Sequence, residues 1–470
     1  MNSIIEFLDL EDPNVYMADS FTEGSVKTIV LESRPSLHYC PECGFRMHSK
    51  GIHTRTINHP LLQNSYSVRI LLKQRRWKCT NPLCGFTMNE SFNFVKKRRR
   101  STNATDMLVL DAFRNLTETA AQIAERFNMS DSQAIDIFNK YVKMPRLPLS
   151  DVISVDEVHI DMDRRCKYAL VIQDFHTGDP LDILISRREE ITEPYFAAIP
   201  IEERLGVRYL ISDMYNNYIN YVEKYFPNAI SVVDSFHVMQ WILRKIDNYL
   251  RGLLREYKKR DDERQERLAG SRGYAVHLPQ SDEVYLLKHY RWLILANQST
   301  VKYHDDFRMD YHFRCMMNTY SYELRLFDIN DRLYRLRDLK EKYVRFNTRN
   351  AGNPEQASKE LNELIDDYFH SGDSIFVDFA VLLTKYKQQI INSFIMVSRL
   401  TTEGVKDSRL SNGPMESMNR KVKDLKRMGR GYRNFDHFRN RFLYAARSAP
   451  VIDASPDPQH TYEYITDEED

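Results

Sequence analysis

The sequence predicts a multidomain α/β protein, in which a mixed-sheet domain is interrupted by an all-α insertion and preceded by two small modules. Three observations support this prediction. Four of the six cysteines form two close pairs within residues 40–84, and the pattern changes to strands at residue 151. The strand signal then stops after Val238, and residues 238–400 are charged, aromatic and mostly helical in spacing.

Composition excludes several classes of protein. The chain has 470 residues, of which 42% are apolar and 28% charged, and its formal net charge is +1. This apolar content is too high for a wholly disordered chain, and the length suggests more than one domain. No stretch reaches the ~20 apolar residues that span a bilayer, and the acidic N-terminus does not resemble a secretory signal. We therefore expect a cytoplasmic protein.

The cysteine spacing predicts a structural zinc site. Cys40 and Cys43 form a C-x2-C pair, Cys79 and Cys84 form a C-x4-C pair, and each pair is followed by Gly and Phe. A glycine permits the tight turn that points two thiolates at one ion, and two such pairs complete a tetrahedral site. Free thiols are the alternative, because a reducing cytosol disfavours disulfides.

The cysteine region is strongly basic. Residues 34–100 contain fourteen Lys and Arg but two Asp and Glu, a net charge of +12. Such blocks bind phosphates by releasing counterions, without choice of sequence. The run Lys96–Arg100 is a plausible flexible arm, or a solvated linker. The side chains predicted to contact DNA here are Arg75, Arg76, Lys78, Lys97, Arg98 and Arg99.

Residues 104–142 match a helix-turn-helix. Asn128 can adopt the left-handed conformation of the turn, and Ser130 with Gln133 predicts a capping box at the start of the second helix. In such a motif the second helix, residues 131–142, would enter the major groove of DNA. A plain helical hairpin is the alternative. Prolines after residue 144 place a boundary near residue 149.

The segments that follow predict a mixed sheet. DVISVDEVHI, KYALVIQD and LDILISR suggest an antiparallel meander, and VRYLISD and NAISVVDSFHV are strands that alternate with helices. This β-β-β-α-β-α-β order is that of a ribonuclease H-like fold.

Two carboxylates in this order predict a metal site. Asp156 lies in the first strand and Asp213 ends the fourth, and in a sheet of this order those strands are neighbours. Paired carboxylates favour magnesium or manganese and suit two-metal chemistry on phosphodiesters. Strand alternation should send Glu157 to the opposite face. Asp234 and His237 support the metal site, contact DNA, or form a structural pair.

A basic helix near the C-terminus carries a third acid. Glu416 lies in its first turn, either as a metal ligand or as a capping-box acid with Gly413 as N-cap. Residues 417–447 contain ten Lys and Arg but two Asp and Glu, a net charge of +8, which suits a surface that follows the DNA backbone. The side chains predicted to contact DNA here are Arg420, Lys423, Arg427 and Arg430. Residues 451–470 form an acidic tail.

These motifs give the chain a specific resemblance. It resembles bacterial insertion-sequence transposases of the DDE type, in the ISL-three group, through CPECG with RRWKCTNPLCGF, SVDEVHI, ISDMYNNYI, VVDSFHV and SNGPMESMNRKVKDLKRMGRGYRNFDHFRNR. The resemblance implies a catalytic triad of Asp156, Asp213 and Glu416 that holds two magnesium ions. DSFH resembles the C/D-x-x-H motif found before an all-helical insertion. Asn419 belongs to the same C-terminal motif as Glu416. Glu403 is the alternative third acid, but the sequence around it lacks this motif.

The resemblance also implies a function. A protein of this kind binds terminal inverted repeats, cleaves DNA with magnesium or manganese and transfers the strand to a target, as a dimer or larger assembly associated with the nucleoid. The alternatives are a ribonuclease H-like nuclease that does not join, and a transposase-derived regulator without catalysis. The expected units are an N-terminal segment (1–33), the zinc-binding basic module (34–100), the helix-turn-helix region (101–149), the first part of the catalytic core (150–238), the insertion (239–400), the C-terminal catalytic helix region (401–450) and the tail (451–470).

Overall fold

A computed structural model of the chain describes residues 10, 12–59, 67–127, 129–162, 166–303 and 306–452. The predictions for Asn128 and for nearly all of the acidic tail therefore lie outside the described residues. Within them, no helix is both long and apolar enough to cross a membrane.

The N-terminal region is a five-stranded sheet. Its strands are β1 (Val15–Glu23), β2 (Val26–Ser33), β3 (Met47–His59), β4 (Ser67–Cys79) and β5 (Thr87–Asn89). The order is β1-β2-β4-β3, with β5 also paired to β4, and only β2 and β4 run parallel. Alternate β4 residues such as Ile70 and Leu72 are buried in the core of this sheet. The strands of residues 15–33 thus share one sheet with β4, which carries Cys79.

Three helices follow this sheet. They are α1 (Asn103–Ala112), α2 (Ala120–Arg126) and α3 (Asp131–Tyr141). A reciprocal capping box forms at Thr119 and Gln122, whereas Ser130 accepts the Gln133 N–H at 3.2 Å without the return bond. The predicted capping box is therefore half formed, and the complete one begins the preceding helix.

The central sheet has five strands, and three helices connect them. Its strands are β6 (Val152–His159), β7 (Tyr168–Asp174), β8 (Pro180–Leu184), β9 (Tyr209–Ser212) and β10 (Ile230–Val233), and its first helices are α4 (Glu189–Ala197), α5 (Ile201–Leu205) and α6 (Asn216–Tyr225). The order is β10-β9-β6-β7-β8. The pairs β6–β7 and β7–β8 are antiparallel, as predicted for the meander, and β6–β9 and β9–β10 are parallel.

Helices cover both faces of the central sheet. On one face Ile153 and Val155 pack against α4 and α6. On the other face Val158 packs with the C-terminal helices α15 (Gly413–Met428) and α16 (Phe435–Ala446). Residues of α1–α3 belong to this second core, where the Phe138 ring meets the Tyr444 ring edge-on at 5.6 Å. The molecule is therefore a mixed α/β protein with a layered centre.

The insertion is built around one long helix. Its helices are α7 (Ser235–Arg272), α8 (Asp282–His289), α9 (Trp292–Leu295), α10 (Thr319–Asp328), α11 (Asp331–Arg349), α12 (Pro354–Phe369), α13 (Ser374–Lys385) and α14 (Lys387–Asn392). Val238, Ile242, Ile246 and Leu250 form the buried stripe of α7 at helical spacing. Since α7 begins at Ser235, the predicted strand NAISVVDSFHV ends earlier than expected.

The prediction of an all-α insertion is wrong in two places. Two hairpins occur: β11 (Arg308–Asp310) with β12 (Cys315–Met317), and β13 (Met396–Thr401) with β14 (Gly404–Arg409). Asp310 accepts the N–H groups of two turn residues and the hydroxyl of Tyr322 at 2.7 Å, so tertiary contacts hold the first turn. Gly404, with φ of +106°, permits the second.

Candidate functional site

Strand register brings three aspartates into one row. Ser154 of β6 pairs with Ile211 of β9, so the same register continued by two residues places Asp156 opposite Asp213. Val233 of β10 pairs with Ser212, which places Asp234 beside Asp213 on the other side. The three strands are parallel, and their carboxyl ends therefore meet at one edge of the sheet. The prediction that the first and fourth strands are neighbours is confirmed.

Three carboxylates form a cluster at this edge. One oxygen each from Asp156, Glu157 and Asp213 lies within 4.8 Å of the others. Carboxylate oxygens are the ligands that magnesium and manganese prefer. The donor set therefore fits a hard divalent cation.

Glu157 leaves β6 on the face opposite Asp156, as strand alternation predicts, because it contacts Tyr218 of α6 whereas Asp156 contacts Asn419 of α15. One of its oxygens nevertheless reaches the cluster, which the sequence did not predict. Pairing between β6 and β9 ends at Ser154, whereas β7 still pairs with Glu157 through Leu170, so the carboxylates meet beyond the end of β9.

Arg187 Nη1 donates to one oxygen of Glu157 at 2.5 Å, and the Tyr218 hydroxyl donates to the other at 2.8 Å. These two donors hold the longer side chain at the edge of the sheet. An aromatic helix following Asp213 was the only sequence signal of this support.

Burial makes the cluster unfavourable when it is fully charged. Desolvation, together with the charges of Asp213 and Glu157, raises the pKa of Asp156 to about 7, against the opposing effect of His237 and the Glu157 N–H. Desolvation and Glu157 also raise the pKa of Asp213. A bound cation would relieve this repulsion, because it favours the ionised form of each group.

Asn419, Asp234 and His237 surround the cluster. The Asn419 amide donates to Asp156 Oδ2 at 2.9 Å from one turn inside α15. Asp234 is the N-cap residue of α7, and burial raises its pKa. The backbone N–H groups of Asn412 and Phe236 oppose this rise. His237 is close enough that its charge lowers the pKa of Asp156, Asp213 and Asp234.

Glu416 lies outside the three-carboxylate cluster. Its side chain is 59% exposed and comes within 4.0 Å of Arg420. The capping-box alternative is wrong, because Asn412 is the N-cap residue and Met415, not Glu416, occupies the third helical position. Asn419 lies three residues further along the same helix, so Glu416 projects from the turn before the one that touches Asp156. The rival Glu403 lies at a hairpin turn and pairs with Lys406.

The four paired cysteines meet in a second cluster. Their sulfurs lie within 4.8 Å of one another, with Cys40 and Cys84 at 3.6 Å and Cys43 and Cys79 at 3.4 Å. Four sulfurs at about 2.3 Å from one zinc ion are separated by roughly 3.8 Å, so the geometry suits zinc. The predicted turn glycines, Gly44 and Gly85, have φ of +72° and +66°.

The electrostatics of these thiols also suit a cation. The Phe45 N–H lowers the pKa of Cys43 to about 7, whereas desolvation raises the pKa of Cys79. One thiolate is therefore favoured, and its presence disfavours ionisation of its neighbours. The remaining cysteines, Cys166 and Cys315, are free and lie outside the cluster.

The basic segments differ in exposure. Arg420, Lys423 and Arg427 of α15 are exposed, and so is Arg430, two residues after its end. By contrast, Arg441 is 1% exposed and donates to the Asn115 carbonyl at 2.6 Å, and Arg447 is 2% exposed. Part of the +8 charge of residues 417–447 therefore stabilises the interior.

The N-terminal cations are only partly available at the surface. Arg75, Arg76 and Lys78 are half-buried on β4, and Lys97 and Arg98 are exposed. The run 96–100 is not a free arm, because Asn58 N–H donates to the Arg100 carbonyl at 2.8 Å and Arg55 donates to the Arg99 carbonyl at 2.6 Å. The Arg99 side chain lies 3.4 Å from Asp106.

The second helix of the predicted helix-turn-helix, α3, exposes both acidic and basic side chains. Asp131, Ser132, Asp136, Asn139 and Lys140 of α3 are exposed. Asn139 is bonded to His437 of α16 at 2.8 Å. Two acids on this face disfavour contact with phosphates, so base reading by α3 stays a prediction.

Comparison with known proteins identifies the family. A search of curated proteins found no match. The family model for ISL3-type DDE transposases, described as "Transposase", matches residues 153–442, which is more than half of the chain and includes the carboxylate row, the insertion and both C-terminal helices. The chain belongs to the ISL3 group of DDE transposases.

Proposed function

We propose that this transposase binds the terminal inverted repeats of an insertion sequence, cleaves DNA at their ends and joins the released strand to a target. The observation that carries the proposal is the row of carboxylates at the ends of three parallel strands, where Asp156, Glu157 and Asp213 converge within 4.8 Å. The strand order β10-β9-β6-β7-β8 supports a ribonuclease H-like catalytic domain.

Asp156 and Asp213 are the proposed magnesium ligands. Magnesium, or manganese in its place, would supply positive charge at the attacking and leaving oxygens of the phosphodiester. Asn419 fixes the Asp156 carboxylate, and Arg187 with Tyr218 fixes Glu157. The chain thus holds its acids in place before substrate binds, which is how outer-shell partners usually act.

Glu416 is the proposed third acid. Its position one turn before Asn419, with an exposed side chain, lets its carboxylate turn toward Asp156 without unfolding α15. The contact with Arg420 at 4.0 Å is exposed and therefore weak. A phosphate that binds Arg420 would release Glu416 for this movement.

The basic surfaces are the proposed DNA contacts. Arg420, Lys423 and Arg427 follow one face of α15 at helical spacing, beside the carboxylates. The N-terminal sheet, with its +12 segment and a structural zinc held by the four cysteines, is the proposed binder of the repeat. The helix-turn-helix would add base contacts there.

The test separates chemistry from binding. Asp156→Asn should abolish both cleavage and strand joining while affinity for a repeat duplex stays that of wild type, because Asp156 belongs to the central sheet and the proposed repeat binder is the N-terminal sheet. Strand joining by this variant would contradict the assignment of Asp156 as a catalytic metal ligand. Loss of repeat binding as well would show that Asp156 has a structural role instead.

A further inference from the structure

A basic cleft lies on the helical insertion, away from the carboxylate cluster. It has a volume of about 570 Å³ and lies between α7 and the α8–α9 segment. The polar and aromatic side chains that line it are chiefly Arg244, Asp247, Arg251, Lys288, Arg291 and Trp292. Four of these are cations and one is an acid, so the cleft is positively charged.

Hydrogen bonds orient two of the cations of the cleft, and the other two have no carboxylate partner among the described residues. Asp247 accepts from Arg251 Nε at 2.6 Å and from Arg291 Nε at 3.4 Å, so one carboxylate orients two guanidinium groups. Arg244 and Lys288 are exposed, and neither has a carboxylate partner in the described part of the chain. This excess positive charge suits the phosphates of a nucleic-acid strand.

Trp292 gives the cleft a stacking surface. It is 47% exposed, because the next two residues, Leu293 and Ile294, take the buried positions of the short helix α9. The other tryptophans are packed: Trp77 is 8% exposed, and Trp241 stacks on Phe379 at 5.8 Å. An exposed indole among cations is a platform on which an unpaired base can stack.

The long helix α7 sets the distance from the cleft to the carboxylates. It runs unbroken from Ser235 to Arg272, and His237 in its first turn lowers the pKa of Asp213. Asp247 is ten residues further on, which is about 15 Å along a helix. One DNA strand advances about 3.4 Å per nucleotide, so the cleft lies roughly four nucleotides from the carboxylates.

We propose that this cleft binds an unpaired nucleotide of the DNA strand close to the cleavage point, with its base on Trp292 and its phosphates on Arg244, Lys288 and the paired arginines. The proposal rests on the proposed function, since it requires DNA at the carboxylates. The base must be unpaired, because bases inside a duplex are already stacked on their neighbours.

The test uses the full chain in EDTA, so that DNA is bound but not cut. The probes are two element-end duplexes, one with a paired flank and one with an unpaired flank that carries 2-aminopurine near the fourth flanking position. Wild type should bind the unpaired flank more tightly and quench its fluorescence. Trp292→Ala should lose this preference by roughly tenfold, with unchanged affinity for the paired duplex, and Trp292→Phe should keep most of it.

Matched controls identify the cleft itself. Tyr311→Ala removes an aromatic side chain that is 87% exposed elsewhere on the insertion and should have no effect. Lys288→Gln should weaken binding of the unpaired flank, whereas Lys342→Gln should not, because Lys342 pairs with Asp367 in a second cleft whose three acids balance its three cations. An unchanged preference in Trp292→Ala would overturn the inference. If wild type binds neither probe, the result contradicts the proposed function itself, and not only the role of the cleft.

Discussion

Asp156→Asn should stabilise the metal-free protein at the same time as it abolishes catalysis. Burial and the neighbouring acids raise the pKa of Asp156 to about 7, so above neutral pH the fold holds a charge that its surroundings disfavour. Asparagine removes this charge and keeps the shape. Asn419 Oδ1 has no partner among the described atoms, so its amide can turn over and accept a hydrogen bond from the new side chain.

The magnitude follows from the shift in proton affinity. Raising a pKa from 3.8 to about 7 corresponds to roughly 4 kcal/mol, at about 1.4 kcal/mol per pH unit. Because the folded state binds this proton more tightly than the unfolded state, wild type gains stability as the pH falls and loses it as the pH rises through about 7. The advantage of the variant is therefore roughly 4 kcal/mol at about pH 8 and less than about 2 kcal/mol at about pH 5.

Urea unfolding in EDTA measures this difference. Wild type and Asp156→Asn are compared at about pH 8 and at about pH 5, with Glu403→Gln as a control because Glu403 is an exposed acid at a hairpin turn. Magnesium should then stabilise wild type and leave Asp156→Asn unchanged. A variant no more stable than wild type at the higher pH would refute the claim that this carboxylate is held charged against its surroundings.

Three further predictions concern the other parts of the site. Cys40→Ser should release zinc and weaken binding to the repeat while the central sheet unfolds at an unchanged urea concentration; unchanged repeat affinity would remove the cysteine cluster from DNA recognition. Asn419→Ala should lower cleavage by roughly 10–100-fold with little change in DNA affinity, because Asp156 loses its 2.9 Å hydrogen bond; full activity would show that this bond does not position the acid. Glu416→Gln should abolish cleavage of repeat DNA, and an active variant would leave Glu157 as the third acid.

Local sequence patterns anticipated the parts of the fold that depend on local chemistry. The meander, the parallel neighbours that carry Asp156 and Asp213, and the meeting of four cysteines followed from strand alternation and turn glycines. Alternation also predicted the opposite face of Glu157, but not its place in the cluster, because its long side chain extends past the end of β9. Arg187 and Tyr218 reach Glu157 from distant elements, which a strand pattern does not encode.

Charge was the least predictable feature. The sequence predicts a charge of +8 on residues 417–447, but Arg441 and Arg447 are buried against backbone carbonyls, whereas cations of α15 and of the loop after it face outward. The sequence did not predict the basic cleft beside Trp292. Its cations come from two segments some forty residues apart, and each segment alone has the pattern of an ordinary solvated helix face. Tertiary contacts alone decide which charges are structural.

The most direct test of the central claim is to map the products that wild-type protein makes from DNA carrying one element end with its flanking sequence, in the presence of magnesium. We expect a cut at the element boundary that leaves a 3′ hydroxyl, joined products formed from that end, and neither product in EDTA. Cutting without joining would identify a nuclease, and products that form equally well without a divalent cation would contradict the proposed role of the carboxylate row.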